Sequence, residues 1–332
     1  MQHQRWTVLA LAAVVALAAC GGPSAATPAS APPSQPTAAA QARPKLAVAW
    51  AVVGSSQLPL WATLEGGYFA QEGLDVTGQR AGAGNVGLAA LLSGEINVLQ
   101  TSASSTMNAV AAGHSVVYLG STIDKMVQFM LARADRADIA GAGDLEGKRA
   151  GVTTPGSLSD SAANLLAHQA GLTPGEDFML VRLNDLPTIR GAVESGAVDV
   201  GFVDTAVGAE RSGLKAVVDF TKLDVPYSSI GFAASRAFVD EHPAELQAFE
   251  RAVNQALKRL RDDPAFAATV LGKYLEIQDA DVLRQSAAEA VGYLNAELRL
   301  DRAGLENTRL FASYGIPALR DLDVSRMLPS PR

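Results

Sequence analysis

The chain has 332 residues, a formal net charge of −7, 48% hydrophobic residues and 18% charged residues. That balance is ordinary for a globular protein, and the absence of a basic patch argues against nucleic acid as a partner. The single cysteine, Cys20, excludes an internal disulfide and any zinc site built from several cysteines, and no cofactor or metal is expected.

Residues 1–19 read as a secretory signal. Arg5 precedes an apolar run from Trp6 to Ala19, which is shorter than the roughly 20 residues a bilayer span requires. Leu17-Ala18-Ala19-Cys20 places small residues before a cut site and resembles the bacterial lipobox, in which the cysteine is lipidated and becomes the mature N-terminus. An ordinary signal with a chance cysteine and an N-terminal anchor are the alternatives here. Residues 20–44 are mostly Ala, Pro, Ser and Thr. Such a segment cannot bury enough surface to offset its ordering entropy, so a disordered, semi-extended tether is expected.

The ordered part begins at Lys45. The continuous apolar run 46–53 predicts a strand buried on both faces. A helix over 58–66, a strand over 74–76, a helix over 86–93, a strand over 96–99, a helix over 104–112 and a strand over 116–120 follow. The alternation predicts βαβ units and a parallel sheet. A second set starts with a strand at 149–152 and a helix at 159–170. It continues with segments 178–183, 188–195, 198–203 and 214–220, read as strand, helix, strand and strand. Ser93-Gly94-Glu95-Ile96-Asn97-Val98 is echoed by Ser195-Gly196-Ala197-Val198-Asp199-Val200. In each, Gly takes the left-handed position that ends a helix, and a strand is expected two residues later. Two similar lobes are expected, 45–126 with 235–332 and 133–228, joined by hinge strands 127–132 and 229–234. From His242 onward the chain reads as helical. Pro243 and Pro264 mark helix starts, and Leu246, Phe249, Val253, Leu257 and Leu260 form one apolar face.

In open α/β sheets, ligands bind beyond the carboxyl ends of the strands. The loops predicted there carry Ser55, Ser56 and Gln57, then Thr101 and Ser102, then Thr122. Thr154, Gly156, Ser157 and Ser159 lie between a strand and a helix, where free N–H groups suit a polar or anionic group. Asp204 is the one charge singled out, either meeting a ligand or capping a helix at Thr205. Asn85 and Tyr227 complete the candidate ligand set. Each hydroxyl alone reads more readily as a helix cap than as a ligand group, but together they describe a polar, mostly neutral cleft. Gly82-Ala83-Gly84-Asn85-Val86-Gly87 has the form of a dinucleotide loop, yet the next strand ends without the acid that motif needs. No G-x-S-x-G elbow is present and no histidine sits in a cleft loop, so the serines read as binding groups and no enzyme activity is expected.

Leu58-Pro59-Leu60-Trp61 with Glu65-Gly66-Gly67-Tyr68-Phe69-Ala70-Gln71-Glu72-Gly73-Leu74-Asp75-Val76 resembles the signature of the nitrate/sulfonate/taurine and thiamine-precursor family of solute-binding proteins. The segment from Asp144 to Arg149, with Pro155-Gly156-Ser157, and the strand from Gly196 to Val203 resemble later parts of the same family. The resemblance implies a type II periplasmic-binding-protein fold. In that fold two α/β lobes joined by two hinge strands clasp a small solute and deliver it to an ABC permease. It implies a monomeric, non-enzymatic receptor held to a bacterial membrane through Cys20. A sensing lipoprotein that signals to a membrane receptor would need the same clamp. The family's pyrimidine-synthase branch is intracellular with a Cys-rich motif, and both features are missing here. The family often has Glu-Pro where this chain has Asp204-Thr205, and the cleft loops are poor in Arg. A small inorganic anion is therefore not expected; the expected partner is a small organic solute, heteroaromatic or sulfonate-like, with a neutral or weakly cationic heteroaromatic such as a pyrimidine or flavin favoured.

Overall fold

The computed structural model describes residues 43–82 and 85–330. The expected signal, Cys20 and the tether up to residue 42 lie outside the described residues, as do Ala83 and Gly84 of the glycine-rich loop. The chain opens with β1 (Lys45–Trp50), a single 3-10 turn at Ser55–Gln57 and α1 (Leu58–Glu65). Next come α2 (Tyr68–Gln71), β2 (Asp75–Arg80), α3 (Asn85–Ser93), β3 (Val98–Ser102), α4 (Ala103–Ala111) and β4 (Val116–Ile123). The second set comprises β5 (Phe129–Arg133), β6 (Arg149–Val152), α5 (Leu158–Ala170), β7 (Met179–Arg182), α6 (Leu186–Glu194), β8 (Val200–Val203) and β9 (Leu214–Asp219). The chain returns as β10 (Ile230–Ser235), α7 (Arg236–Glu241), α8 (Pro243–Asp262), α9 (Pro264–Leu275), α10 (Ala280–Gly292), β11 (Leu294–Arg299) and α11 (Arg302–Ser313).

Two sheets result, in the orders β11-β4-β10-β3-β1-β2 and β7-β6-β8-β5-β9; each sheet with its helices forms a lobe. Neither sheet is purely parallel as expected. β1 pairs parallel with β2 and β3, and β6 pairs parallel with β7 and β8. β10 runs antiparallel between β3 and β4, and β5 runs antiparallel between β8 and β9. The stretches 127–132 and 229–234 thus fall on β5 and β10, each an inner strand of one sheet. The passages between the sheets are the segments before β5 and before β10.

Strand β1 is apolar along its length because both faces of its sheet are covered. Leu46 and Val48 pack on the core that contains Leu60, Phe69 and Phe249, while Ala49 joins the opposite core with Leu91 and Met107. The predicted stripe on α8 is buried, with Leu246, Phe249, Val253, Leu257 and Leu260 all excluded from solvent. Pro243 and Pro264 open α8 and α9 as read from the sequence. One strand was missed: β11 pairs antiparallel with β4 in a region read as helical. Its residues Leu294, Ala296, Glu297 and Leu298 are good helix formers, and tertiary pairing at the sheet edge overrides that preference.

The echoed turns are alike in detail. Gly94 and Gly196 have φ of 78° and 75°, the left-handed region where glycine carries no side-chain penalty. Ile96 N donates to Ala90 O at 3.2 Å and Val198 N to Ala192 O at 3.1 Å. Asn97 Oδ1 accepts from Ala47 N at 2.7 Å, and Asp199 Oδ2 accepts from Arg149 N at 2.9 Å. Each side chain ties the incoming strand to its parallel neighbour, β1 for Asn97 and β6 for Asp199. The strands themselves begin at Val98 and Val200, four residues after the glycine rather than two.

Candidate functional site

The carboxyl ends of β1, β3, β6 and β8 converge on the space between the lobes. After β1 the chain bends through Ala51–Gly54 and closes the 3-10 turn at Ser55–Gln57, with Pro59 in the first turn of α1. That turn aims the Ser56 N–H at the facing lobe. β3 ends at Ser102, whose hydroxyl caps α4 by accepting from Ser105 N at 3.1 Å. Its Oγ also lies 3.0 Å from Ser104 Oγ and 2.9 Å from Ser105 Oγ. On the other wall, Ser157 caps α5 by accepting from Asp160 N at 3.2 Å. Ser159 Oγ accepts from Thr153 N at 2.9 Å and lies 3.1 Å from Ser157 Oγ. The Gly156 N–H points to Asp160 Oδ2 at 2.9 Å, so this helix start is served by the chain's own acid.

Asp204 directly follows β8 and is 3% exposed. No helix begins at Thr205, so capping does not account for it. Its Oδ2 instead accepts from Ser56 N across the cleft at 3.0 Å. Burial pushes the Asp204 carboxyl above the usual carboxylate range, and the Ser56 hydrogen bonds oppose that shift. A second carboxylate, Asp185 at the start of α6, accepts from Leu186 N and from Val53 N of the facing lobe, each at 3.0 Å. Asp185 also pairs with Arg80 at the end of β2. Two acids of the second lobe therefore grip the loop that follows β1.

Gly54 is where the walls come closest. A Cβ there would stand 2.4 Å from Asp204 Oδ2 and 2.6 Å from a Leu186 methyl group. The space left between the walls is about 40 Å³, room for no more than a few waters. The lobes are therefore closed.

Seven sequence-predicted residues line this space: Ser56, Gln57, Thr101, Ser102, Ser157, Ser159 and Asp204. The others lie elsewhere. Ser55 lies on the outer side of the wall at Gly54. Thr122 belongs to β4, not to a loop, and donates to Ile230 O at 3.2 Å. Thr154 and Gly156 sit behind the lining, with Gly156 held against Asn108 of α4. Tyr227 is buried with its ring stacked on Phe311. Asn85 opens α3, away from the residues that line the space.

The lining also includes Ser105, Gln128, Thr153 and Leu186, which the sequence reading did not select. Gln128 comes from the passage into β5, and the only cue to it was that the chain crosses between lobes there. Gln57 Oε1 and Gln128 Oε1 are buried acceptors without a partner. No lysine or arginine is among the lining residues. The walls thus offer hydroxyls, amide acceptors and one buried carboxylate, a set suited to hydrogen-bond donors. Among the described residues, no group of three or more His, Cys, Asp or Glu is placed to hold a metal ion. Nor is any described helix long and apolar enough to cross a membrane.

Solved structures of the same fold exist at low identity. A protein from Bordetella bronchiseptica RB50 superposes with a TM-score of 0.72 at 23% identity, over 86% of this chain and 92% of that one. The alkanesulfonate-binding protein SsuA from Xanthomonas axonopodis pv. citri, bound to MOPS, gives 0.71 at 19% identity, over 88% and 98%. The Candida albicans CA3427 gene product, described as having the generic periplasmic-binding-protein fold, gives 0.69 at 19% identity, over 86% and 96%. The two-lobed architecture is therefore the periplasmic-binding-protein fold. No match was found among curated proteins. A family profile described as "NMT1/THI5 like" covers residues 55–267, which include most of both lobes and every cleft loop from Ser55 to Asp204, and the chain belongs to that family.

Proposed function

We propose that this protein is the solute-capturing component of an ABC import system: it closes its two lobes on a small organic solute and hands it to a membrane permease. The observation that carries the reading is the cleft itself, in which the buried Asp204 of one lobe meets Ser56 N of the other at 3.0 Å among hydroxyls and amides. An alkanesulfonate-binding protein of the same fold supports capture between lobes. The absence of lysine and arginine from the lining argues that the solute here is not a sulfonate but a neutral or cationic organic molecule. Closure is a hinge motion in which contacts made only in the closed state offset its cost. With no histidine, cysteine or lysine among the lining residues, binding rather than bond-making is what these walls support.

Native mass spectrometry of the purified protein tests this reading, with a co-purifying organic solute as the expected result. Import of that solute should fall in a strain lacking the protein; unchanged import would sink the transport reading. Export and anchoring through Cys20 belong to the same proposal, since a clamp must stay near its permease. Cys20→Ser should move the protein from the membrane fraction to the soluble fraction without altering solute affinity. Retention of the variant on membranes would remove the lipid anchor.

A further inference from the structure

Beside the closed cleft runs a second concavity of about 430 Å³, within the 300–1,000 Å³ range common to small-molecule sites. The two spaces adjoin, since Asp204 and Leu186 line both, and Gly54 packs against both of these residues. The walls of the groove are largely apolar and come from three parts of the chain: Leu186 on α6, Val207 after β8, and Ile277 with Val282 around the start of α10. Its two arginines are already engaged. Arg211 pairs with Asp279, and Arg190 donates to Val207 O and Glu194. Neither is an unpaired charge in the groove.

The acids on the same side are in the opposite condition. Asp204, 3% exposed, has no ion-pair partner among the described residues. Nor does Glu289, whose Oε1 takes the Thr205 hydroxyl at 2.6 Å. Burying a carboxylate without a cation costs free energy, which a bound cation would recover. The closed cleft is too small for more than a charged head group, and the adjoining groove has the volume and the apolar walls for the rest of a molecule.

We propose that cleft and groove are one site, for an organic cation with an apolar body. The charged group pairs with the Asp204 carboxylate beside the Ser56 N–H, and the body lies in the groove against Leu186, Val207 and Val282. This rests on the solute-receptor reading and adds the class of solute.

Two amidines test it by isothermal titration calorimetry: acetamidine, which carries the head group alone, and benzamidine, which adds an aromatic body. An amidinium can pair with a carboxylate through two parallel N–H···O bonds. Benzamidine is expected to bind at least about tenfold more tightly than acetamidine, and Asp204→Asn is expected to lose both. Val282→Trp fills the groove from α10 and should erase the difference between the two probes. Val207→Trp should do the same from the other wall, with circular dichroism confirming that each variant is folded. Equal affinities in the unmodified protein overturn the proposal, as does the preference surviving in both folded Trp variants. Binding of neither amidine also overturns it. If a co-purifying solute is still found in that case, the receptor reading stands and only the solute class falls.

Discussion

At the scale of single residues, Gly54 is the position on which closure turns. Its φ of −168° is extended backbone that any residue adopts, so Gly54→Ala introduces no backbone strain. The added methyl group would instead collide with Asp204 Oδ2 and Leu186 in the closed form. Overpacking of this kind costs about 1–3 kcal/mol, and here the cost falls only on the closed state. Gly54→Ala should therefore weaken solute binding by about tenfold or more. Calorimetry measures that loss, and a larger radius of gyration in X-ray scattering should accompany it. Unchanged affinity would mean that the walls do not meet there when the solute is bound. The polar character of the cleft was legible because Ser56, Ser157 and Asp204 follow strand ends, where an α/β sheet presents its loops, although Thr101 and Ser102, read as loop residues, are the last two residues of β3 itself. Leu186 was not legible, because nothing in its local sequence places it on the cleft, and only the packing of the two lobes does so. Gln128 lies on the expected hinge stretch 127–132, but nothing there marks its side chain as one that lines the cleft. Thr122 and Tyr227 sit near the crossings too, yet the register of β4 turns Thr122 onto the Ile230 carbonyl, and Tyr227, ahead of β10, packs on Phe311 of α11.

At the scale of elements, the twin turns before β3 and β8 make a paired experiment possible. Asn97 and Asp199 occupy the same place, but only the second is charged. Removing either side chain takes the partner from a strand N–H, so Asn97→Ala and Asp199→Ala should each cost about 0.5–1.5 kcal/mol in urea unfolding. Burial pushes the Asp199 carboxyl up, but hydrogen bonds from Arg149 and Arg136 outweigh it and hold the group at about 2. A carboxyl depressed in the folded state contributes stability above its unfolded value of about 3.9, and that contribution is lost as pH falls. The urea midpoint should thus drop between about pH 4 and pH 2, and Asp199→Asn should flatten that drop. The glycines of these turns could be read from the sequence, as could the apolar stripe of α8, because both follow from local geometry. The strand β11 could not, because its residues favour helix and only the edge of β4 makes it a strand.

At the scale of the whole molecule, lobe closure buries Asp204, and α10 brings Glu289 against the second lobe through Thr205. Both carboxyls are raised above their usual range, chiefly by burial. For a raised acid the sign reverses: the folded, closed state holds the proton better, so its stability is greatest at low pH and declines as pH rises through the raised value. The ligand-free protein should be more closed at pH 5 than at pH 8 by X-ray scattering, and Asp204→Asn should weaken that dependence. A radius that is constant with pH in the unmodified protein would count against Asp204 as the closing contact. Two lobes were foreseeable from the restart of the β–α pattern; the mixed sheets were not, because the strand that completes each sheet lies next to the other lobe in sequence. That arrangement also sets an order of assembly. All five strands of the second sheet lie between Phe129 and Asp219, so that sheet has every part it needs before the chain turns back. In the first sheet β3 and β4 do not touch; β10 must slip between them, and it is synthesised only after the second lobe is complete. The late-made lobe is therefore the one that begins the chain. Pulsed hydrogen exchange during refolding should show amides of β6 and β8 protected before those of β3 and β4, since long-range pairings form last.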